Sequence, residues 1–354
     1  MRGKFNLTIV CLVILISSLF SGCFISHSPK QGLSEELNIF NWEDYFGETT
    51  LEDFEEIFGV KVNLYTFEEE DYMISALSTN PGKYDVVIAS DTVVKQLIEM
   101  KLLAKLNKSN IPNIKYLDPN FLNLSFDPGN NYSIPYLWGT TGIAYNISVV
   151  EDDVKSWSIL WNTNYSGRII LLDNKDEVIA TALKYLGYSI NTRNLSQLKE
   201  AEALLLRQKP LIQGYEDPIT IIDKLVSGDA YIAHCYSGDA YAAADKNANI
   251  TYVIPEEGSP IWIDNLIIPV DSPHKYTAEV FINYILKPKV IANITNYQWY
   301  ANPNTAAEKY VNKSILEEPG IYPPQDILEK CEYFKTLDAD TYSEHNRIWA
   351  ELHG

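Results

Sequence analysis

The sequence predicts an α/β protein built from two domains. Short apolar, β-branched runs alternate with segments that carry helical signals, and this alternation is typical of α/β folds. A length of 354 residues suits two globular domains. Residues 132–146 are rich in glycine, proline and aromatic side chains and separate two such α/β units, so we place the crossing between the domains there.

In the first unit a helix is expected to begin at Thr49 or Thr50, because acidic residues follow in its first turn. It should end at Gly59, since glycine tolerates the left-handed conformation at a helix end. Residues 60–67 alternate between apolar and polar side chains, as a half-buried strand does. The predicted strands are 37–40, 60–67 and 84–90, and a further helix runs to about residue 100.

The second unit shows the same alternation before the chain returns to the first. Its predicted strands are 168–172, 230–236 and 251–254, and its predicted helices are 175–186, 196–207 and 218–226. Further helices are expected at 276–286 and 289–298, and the C-terminal region 324–352 is expected to be helical.

One strand carries an unusual residue. Residues 261–268 are apolar, β-branched and bounded by prolines, which predicts a buried strand, yet the run contains Asp264. A buried, unpaired carboxylate costs several kcal/mol. Residues two apart on a strand share a face, so Trp262 and Asp264 should point together. An indole beside a carboxylate suits an organic cation. The alternative is a core tryptophan beside an aspartate that caps a turn or pairs with an arginine.

The charge balance limits the partners. With 28 Lys and Arg against 47 Asp and Glu, the net charge is −19, and no basic run occurs. This argues against nucleic acids and anionic membrane surfaces as partners and is compatible with a cationic ligand.

The N-terminus is predicted to be a lipoprotein signal peptide, residues 1–22. Arg2 and Lys4 precede an apolar run at 7–20 that is short for a membrane span, and Phe-Ser-Gly-Cys resembles a lipobox. Cys23 would then be lipidated, with residues 23–35 as a tether. The alternative is ordinary secretion with an unmodified Cys23.

The sequence offers no enzymatic or metal motif. It lacks a G-x-S-x-G elbow, a P-loop, a G-x-G-x-x-G loop after a strand and H-E-x-x-H, and its histidines have no metal-ligand spacing. We therefore expect that the protein is not an enzyme and that it binds neither a cofactor nor a metal. Cys235 and Cys331 are far apart in sequence, and either a disulfide or two free thiols is possible.

Aromatic and acidic residues recur together near strand ends. Trp42 and Tyr45 follow the first predicted strand, Ser90 ends another, and Tyr236 and Asp239 follow a third. Open α/β sheets bind ligands at the carboxyl ends of their strands.

Each candidate also has an ordinary structural interpretation. Trp42 could be core packing, Ser90 a helix N-cap and Asp239 the cap of a helix at 241–246. Asp173 is predicted to be a helix N-cap, and Glu177 would then lie in the first turn of that helix. The helix dipole favours a carboxylate there even without a ligand.

Taken together, several stretches resemble the spermidine/putrescine-binding proteins of ABC transporters, and the resemblance runs in order from residue 37 to residue 352. The stretches are LNIFNWEDY (37–45), YDVVIAS (84–90), SIPYLWG (133–139), YSGDA (236–240) and IWIDNL (261–266).

The resemblance implies a two-lobed type II periplasmic solute-binding fold: mixed sheets with helices on both faces and a ligand cleft between the lobes. The implied lobes are 36–141 plus 263–308, and 142–262 plus 309–354. The implied function is the extracytoplasmic substrate-binding subunit of an ABC importer. It would be a lipid-anchored or periplasmic monomer that captures putrescine or spermidine and delivers it to membrane permease subunits. Alternatives are a binding protein of the same fold for Fe(III), thiamine or another organic cation, and an exported hydrolase that uses Glu177 or Asp264.

The resemblance also implies a role for nine residues. Aromatic walls would come from Trp42 and Tyr45, a hydrogen bond near one amine from Ser90, an ammonium ligand from Glu177, and a further acid from Asp239. Trp262 would stack on the aliphatic chain of the ligand, and Asp264 would pair with an amine. Tyr236 stands where the family often has tryptophan, and Tyr300 matches a family tyrosine near the cleft.

Two positions depart from the family pattern. Asn174 stands where spermidine binders commonly have an acid, and Thr92 where they commonly have tyrosine. The missing acid disfavours the extra amine of spermidine, whereas Asp239 acts in the opposite direction. On balance we expect a slight preference for putrescine.

Overall fold

The computed structural model describes residues 30–43 and 45–354. The predicted signal peptide, Cys23, the first part of the predicted tether and Asp44 lie outside the described residues. Within the described ranges, no helix combines the length and the apolar character needed to span a membrane. Cys235 and Cys331 are both free thiols, so the structure shows no disulfide between them.

The predicted α/β alternation of the first unit is confirmed. The structure adds one helix, α2, which was not assigned from the sequence. The elements are β1 (Glu36–Trp42), α1 (Thr50–Phe58), β2 (Lys61–Phe67), α2 (Glu70–Thr79), β3 (Val86–Ser90) and α3 (Asp91–Glu99). Gly59 ends α1 in the left-handed conformation, as predicted. The half-buried pattern expected for residues 60–67 is wrong, because β2 is an edge strand in which only Phe67 is fully buried.

The stretch 132–146 is a strand. A single strand of 14 residues, β4 (Ser133–Asn146), runs through it, and every residue except Tyr145 is buried. Its first part pairs antiparallel with β9 (Ile261–Ile267), and from Thr141 onward it pairs with β7 and β8. The domain crossing stays a prediction, and its predicted position falls inside this one continuous strand. The register of its pairing with β9 shifts between Pro135 and Trp138, next to the proline, which has no N–H to donate to the ladder.

The second unit also follows the prediction, with strand β6 added. Its elements are β5 (Ile169–Leu172), α4 (Lys175–Tyr185), α5 (Leu195–Gln208), β6 (Ile212–Glu216), α6 (Pro218–Ser227), β7 (Ile232–Tyr236), α7 (Ser237–Lys246) and β8 (Ile250–Val253). Two helix starts differ from the prediction. Asn174, not Asp173, caps α4, and α7 begins at Ser237, so Asp239 lies in its first turn and is not its cap.

The chain then returns through β9 to helices α8 (Lys275–Ile285), α9 (Pro288–Gln298), α10 (Lys313–Leu316), α11 (Gln325–Leu328) and α12 (Ala339–His353). The expectation of a continuous helical region over 324–352 is wrong, since a non-helical segment separates α11 from α12. Asp338 caps α12 by accepting a hydrogen bond from the Thr341 N–H, which fixes the start of this second helix.

In the described part of the chain, nine strands form one mixed, hydrogen-bonded network in the order β2-β1-β3-β9-β4-β7-β5-β6, with β8 on β4. Helices α2 and α3 cover one face of the first half around Phe40, Val87 and Ile267. Helices α4, α5 and α12 pack around Ile169 and Leu171 in the second half. The network joins the two halves through the neighbouring strands β9 and β4. The lobe boundaries given above remain a prediction.

Candidate ligand-binding site

Strand β9 brings the acid and the indole to the centre of the sheet. Asp264 lies opposite Ser90 of β3, and Trp262 lies opposite Gly139 of β4. A Cβ atom on Gly139 would lie 2.5 Å from Cζ2 of Trp262, so only glycine leaves room for the indole. The predicted buried strand is confirmed, and its one carboxylate is buried with it.

The alternative roles considered for Asp264 do not match its surroundings. Its Oδ2 accepts a hydrogen bond of 2.5 Å from the Tyr45 hydroxyl, and no lysine or arginine in the described residues forms an ion pair with it. Burial raises the pKa of Asp264 to about 7; the Tyr45 hydrogen bond opposes this shift and the nearby Glu70 adds to it. Tyr45 is itself held by Tyr136, whose hydroxyl donates to the Tyr45 carbonyl at 2.7 Å.

Four aromatic rings form a chain of edge-to-face contacts beside this carboxylate. Ring centroids are 5.9 Å apart for Tyr45 and Tyr300, 5.1 Å for Trp262 and Tyr300, and 6.1 Å for Tyr236 and Trp262. The structure thus brings together four of the five aromatic residues predicted from the sequence. The fifth, Trp42, contacts the ring of Phe67, with 4.4 Å between the ring centroids. Within the described chain its ring contacts none of the other four.

Tyr300 occupies a space that a glycine creates. Gly238 lies in the first turn of α7, and a Cβ atom there would lie 2.2 Å from Cζ of the Tyr300 ring. From this position the Tyr300 hydroxyl donates to Oδ1 of Asp239 at 3.4 Å. The other carboxylate oxygen of Asp239 is buried without a hydrogen-bond partner in the described residues. Burial raises the pKa of Asp239 to about 7.

Glu177 is fixed by the start of α4. Asn174 caps this helix by accepting hydrogen bonds from the N–H groups of Asp176 and Glu177 at 3.2 and 3.3 Å. The Thr141 hydroxyl of β4 donates to Oε1 of Glu177 at 3.0 Å, whereas Oε2 is buried without a partner in the described residues.

The helix dipole does not by itself account for a glutamate at this position. A dipole acting alone would lower the pKa of a first-turn carboxyl. Glu177 is only 4% exposed, and burial raises its pKa to about 8 against the hydrogen bond from Thr141, with smaller contributions from Asp176 and Asp91. Its environment therefore disfavours the charged form when no cation is near.

Ser90 is the residue before α3, but its side chain does not cap the helix. Its Oγ lies 3.1 Å from Oγ1 of Thr92, and its N–H donates to Oε1 of Glu70 at 2.9 Å. Its hydroxyl lies at the end of β3, next to the Asp264 position on β9.

Sequence reasoning missed two acids. Glu70 begins α2 and Asp91 begins α3, each shortly after a strand of the first half. Burial raises the pKa of both, and it raises that of Asp91 to about 8, with added contributions from Asp264 and Glu70. Ser90 was identified because it ends a strand, where α/β sheets bind ligands. The same argument applies to Asp91, the next residue, and could have identified it. Glu70 was hidden within a run of acidic residues.

The site therefore holds five carboxylates whose pKa values are all raised: Glu70, Asp91, Glu177, Asp239 and Asp264. Across residues 30–43 and 45–354, none of the five forms an ion pair with a lysine, arginine or histidine. Such an arrangement can accept hydrogen bonds from positively charged groups, and the neighbouring rings can cover apolar segments between those groups.

Comparison with known proteins decides the family. The family model of bacterial extracellular solute-binding proteins matches residues 49–321. The chain belongs to this family. As a member it is an extracytoplasmic solute-binding protein, and the resemblance inferred from the sequence is confirmed.

Characterised relatives of this solute-binding protein match almost its whole length. The putrescine-binding periplasmic protein SpuD of Pseudomonas aeruginosa is 33% identical, with 99% of each chain covered. The putrescine-binding periplasmic protein PotF of Escherichia coli is 32% identical, covering 95% of this chain and 97% of PotF. The spermidine/putrescine-binding periplasmic protein of E. coli is 32% identical over 86% of this chain and 87% of its own. These relatives are solute-binding proteins, not enzymes.

Solved structures confirm the predicted fold class. The spermidine/putrescine ABC transporter substrate-binding protein PotD of Streptococcus pneumoniae superposes with a TM-score of 0.84 at 32% identity, covering 90% of this chain and 99% of PotD. A putative spermidine/putrescine ABC transporter protein of Listeria monocytogenes gives 0.82 at 33% identity, with the same coverage. This solute-binding protein has the two-lobed type II periplasmic fold.

Proposed function

We propose that this protein is the substrate-binding subunit of an ABC importer and that it captures a polyamine, putrescine or spermidine, for delivery to the membrane permease. One observation carries the proposal: five carboxylates with raised pKa values share the site, three of them buried (Asp91, Glu177 and Asp264), and none is paired with a cationic side chain in the described residues. Desolvated carboxylates that repel one another are stabilised by a ligand that brings ammonium groups. The relatives named for putrescine and spermidine support the same ligand class.

Each polar residue has a distinct role in this proposal. Asp264 pairs with one terminal ammonium group, and the Ser90 hydroxyl accepts a hydrogen bond from the same group. Glu177 pairs with the other ammonium through Oε2, the oxygen that has no partner among the described residues. The free oxygen of Asp239 offers a further acceptor next to the Tyr300 hydroxyl.

The aromatic residues bind the hydrocarbon part of the ligand. Tyr45, Tyr236, Trp262 and Tyr300 cover the methylene groups, and Trp42 closes the wall of the first lobe. A ring face beside an ammonium group adds about 0.5–2 kcal/mol, depending on how completely water is excluded. A bare metal ion has no apolar segment for these rings to cover, so the combination of rings and acids favours an organic cation with an aliphatic chain.

Binding energy is coupled to lobe closure in this proposal. The lobes are residues 36–141 plus 263–308, and residues 142–262 plus 309–354. The hinge lies where β4 passes from one half of the sheet to the other and at Pro260, whose carbonyl accepts the Thr141 N–H at 3.1 Å. Closing the lobes removes water from the carboxylates and strengthens their attraction to ammonium.

The remaining features concern delivery of the ligand. The protein acts as a monomer without catalytic activity, and lipidation of Cys23 after removal of residues 1–22 anchors it to the outer face of the membrane. The permease subunits receive the polyamine from the closed form.

Isothermal titration calorimetry with a set of polyamines tests the function. Purified protein is freed of bound ligand by unfolding, dialysis and refolding, and is then titrated with putrescine, cadaverine, spermidine and spermine. We expect a dissociation constant of roughly 1 μM or lower for at least one of them. No measurable binding by protein shown to be folded and ligand-free would contradict the proposal, and titration with thiamine and Fe(III) would then identify another ligand of the same fold.

A further inference from the structure

Trp299 ends α9 in a backbone conformation that a bulky side chain rarely adopts. Its φ is +59°, in the left-handed region, and its N–H donates to the Thr295 carbonyl at 2.9 Å. Glycine adopts this conformation at a helix end without steric cost, whereas the Cβ atom of other residues makes it unfavourable. The other non-glycine residues of the described chain with a positive φ are Lys101, Asn123 and Asn130. Among these four, Trp299 alone directly precedes a residue of the site, Tyr300.

The indole of Trp299 stacks on a residue of α7. The rings of Trp299 and Tyr241 have centroids 5.6 Å apart and planes that differ by 22°. Tyr241 is buried and is held from two other sides. Its ring lies 5.9 Å from that of Tyr252, and a Cβ atom on Gly320 would lie 2.2 Å from its hydroxyl oxygen. Tyr241 is therefore a fixed surface against which the indole packs.

Trp299 and Tyr300 pack on the same face of α7. Tyr300 fills the space beside Gly238, and Trp299 covers Tyr241, which lies three residues further along the helix. Residues three apart in a helix lie on one face. Consecutive residues of a regular helix or strand point in different directions, so two neighbouring rings do not normally dock side by side. The left-handed turn at Trp299 makes this arrangement possible.

The residue after Tyr300 provides a second anchor. Ala301 pairs with Trp138 of β4, whose N–H donates to the Ala301 carbonyl at 2.9 Å. The chain is thus held on both sides of Tyr300, by the indole stack before it and by this backbone bond after it. The Tyr300 ring then lies 5.1 Å from the ring of Trp262 and 5.9 Å from that of Tyr45. These contacts depend on the direction in which the chain leaves α9.

We propose that Trp299 is a positioning residue of the site. Its left-handed turn and its stack on Tyr241 direct the Tyr300 ring into the site and thereby set the affinity for the polyamine. The unfavourable backbone conformation is kept at a tryptophan because the indole supplies a contact that glycine lacks. This inference rests on the proposed function, in which Tyr300 covers methylene groups of the ligand.

Substitutions of Trp299 separate the indole from the backbone turn. Trp299→Gly accepts the left-handed conformation and removes the ring, whereas Trp299→Phe keeps a ring that can stack on Tyr241. Calorimetry is carried out with the polyamine that wild type binds most tightly. We expect Trp299→Gly to lose at least about tenfold in affinity and Trp299→Phe to stay within about threefold of wild type. Trp299→Asn, which also tolerates the left-handed conformation, should behave as Trp299→Gly and replaces it if the glycine variant does not fold.

Tyr297→Ala is the matched control. It removes an exposed ring from the last turn of the same helix and should leave the affinity unchanged. Unchanged affinity in both Trp299→Gly and Trp299→Asn would overturn the proposal.

A double-mutant cycle with Tyr300→Ala tests whether Trp299 acts through Tyr300. Because the proposed effect depends on the Tyr300 ring, Trp299→Gly should cost less than about twofold in protein that already lacks this ring. A loss of about tenfold or more in both backgrounds would overturn the proposal, since Trp299 would then act on the protein as a whole.

Fluorine NMR measures the position of Tyr300 without a ligand. In protein labelled with 3-fluorotyrosine, the Tyr300 resonance is the one missing from the spectrum of Tyr300→Phe. We expect its chemical shift to move toward that of an exposed tyrosine in Trp299→Gly and to stay in place in Trp299→Phe. An unmoved resonance in Trp299→Gly would overturn the inference even if polyamine binding changed. Absence of polyamine binding by wild type would overturn the proposed function, and this spectrum would still decide whether Trp299 positions Tyr300.

Discussion

Tyr45 and Asp264, which lie 219 residues apart in the sequence, are joined by a buried hydrogen bond of 2.5 Å. The hydroxyl stabilises the ionised carboxylate and so limits the rise in the pKa of Asp264 that burial causes. The bond therefore favours the ionised form of a desolvated acid.

Replacing Tyr45 with phenylalanine should weaken polyamine binding in a pH-dependent way. Without the hydroxyl, the pKa of Asp264 rises above about 7 and a larger fraction is protonated at neutral pH. We expect a loss of about tenfold near neutral pH and a smaller loss about two pH units higher, measured by calorimetry at both pH values. A loss of the same size at both pH values would show that the ring position, and not the hydrogen bond, had changed.

Asp264→Asn should weaken binding at every pH. The substitution removes the charge proposed to pair with an ammonium group, and we expect at least a tenfold loss, or about 1.4 kcal/mol. Asp271→Asn is the control, since it removes one charge from an exposed residue beyond the end of β9 and should have little effect. Unchanged affinity in the Asp264 variant would mean that this carboxylate does not contact the ligand.

Ligand binding should release protons. The pKa values of Asp239 and Asp264 are raised to about 7, and those of Asp91 and Glu177 to about 8, so the ligand-free site is partly protonated at neutral pH. An ammonium ligand favours the ionised carboxylates, and affinity should therefore rise between about pH 6 and about pH 8. Calorimetry in two buffers with different ionisation enthalpies measures the released protons, and equal apparent enthalpies in both buffers would count against this prediction.

The stability of the ligand-free protein should show the opposite trend. Because the folded-state pKa values of these four acids are raised, the native state binds more protons than the unfolded chain between about pH 4 and about pH 8. The stability that these groups contribute is present at the low end of that range and is lost as the pH rises through about 7–8. Thermal unfolding should show a falling melting temperature over this range, and a saturating polyamine should reduce the trend. A melting temperature that rose with pH would contradict the prediction.

Gly238→Ala should displace Tyr300 from the site. The new Cβ atom would lie 2.2 Å from the ring, so the contacts of Tyr300 with Trp262 and Asp239 would be lost. We expect a loss of affinity of at least about tenfold. Tyr300→Phe keeps the ring and removes only the hydroxyl, and it should cost less. A larger effect of the phenylalanine variant would show that the hydroxyl, not the ring, is the important group.

Asp264 is the one site residue that its own segment identifies through a conflict with its surroundings, whereas the other candidates came from strand ends and from the family resemblance. Asp264 stood out because an apolar strand otherwise excludes carboxylates, and the structure buries it beside Tyr45 and Ser90. Glu70 and Asp91 have a comparable environment but began helices in an acidic chain, where carboxylates are common and no local pattern distinguishes a buried one.

The same reasoning explains the errors in the fold. Strand β4 was not predicted because Pro135 and Gly139 are typical of loops. In the structure the register of the β4–β9 pairing shifts between Pro135 and Trp138, and the glycine makes room for Trp262. Burial and the three-dimensional neighbours of a residue determine these features, and neither is readable from local sequence alone.

The position of β9 between β3 and β4 also affects how the chain folds. The early strands β1, β2 and β3 cannot complete their sheet until residues 261–267 arrive, much later in the chain. Sheets that depend on such distant pairings fold slowly, because a long loop must close before its contacts stabilise it. During synthesis the first half of the sheet therefore remains open at β3 until residue 267 has been made.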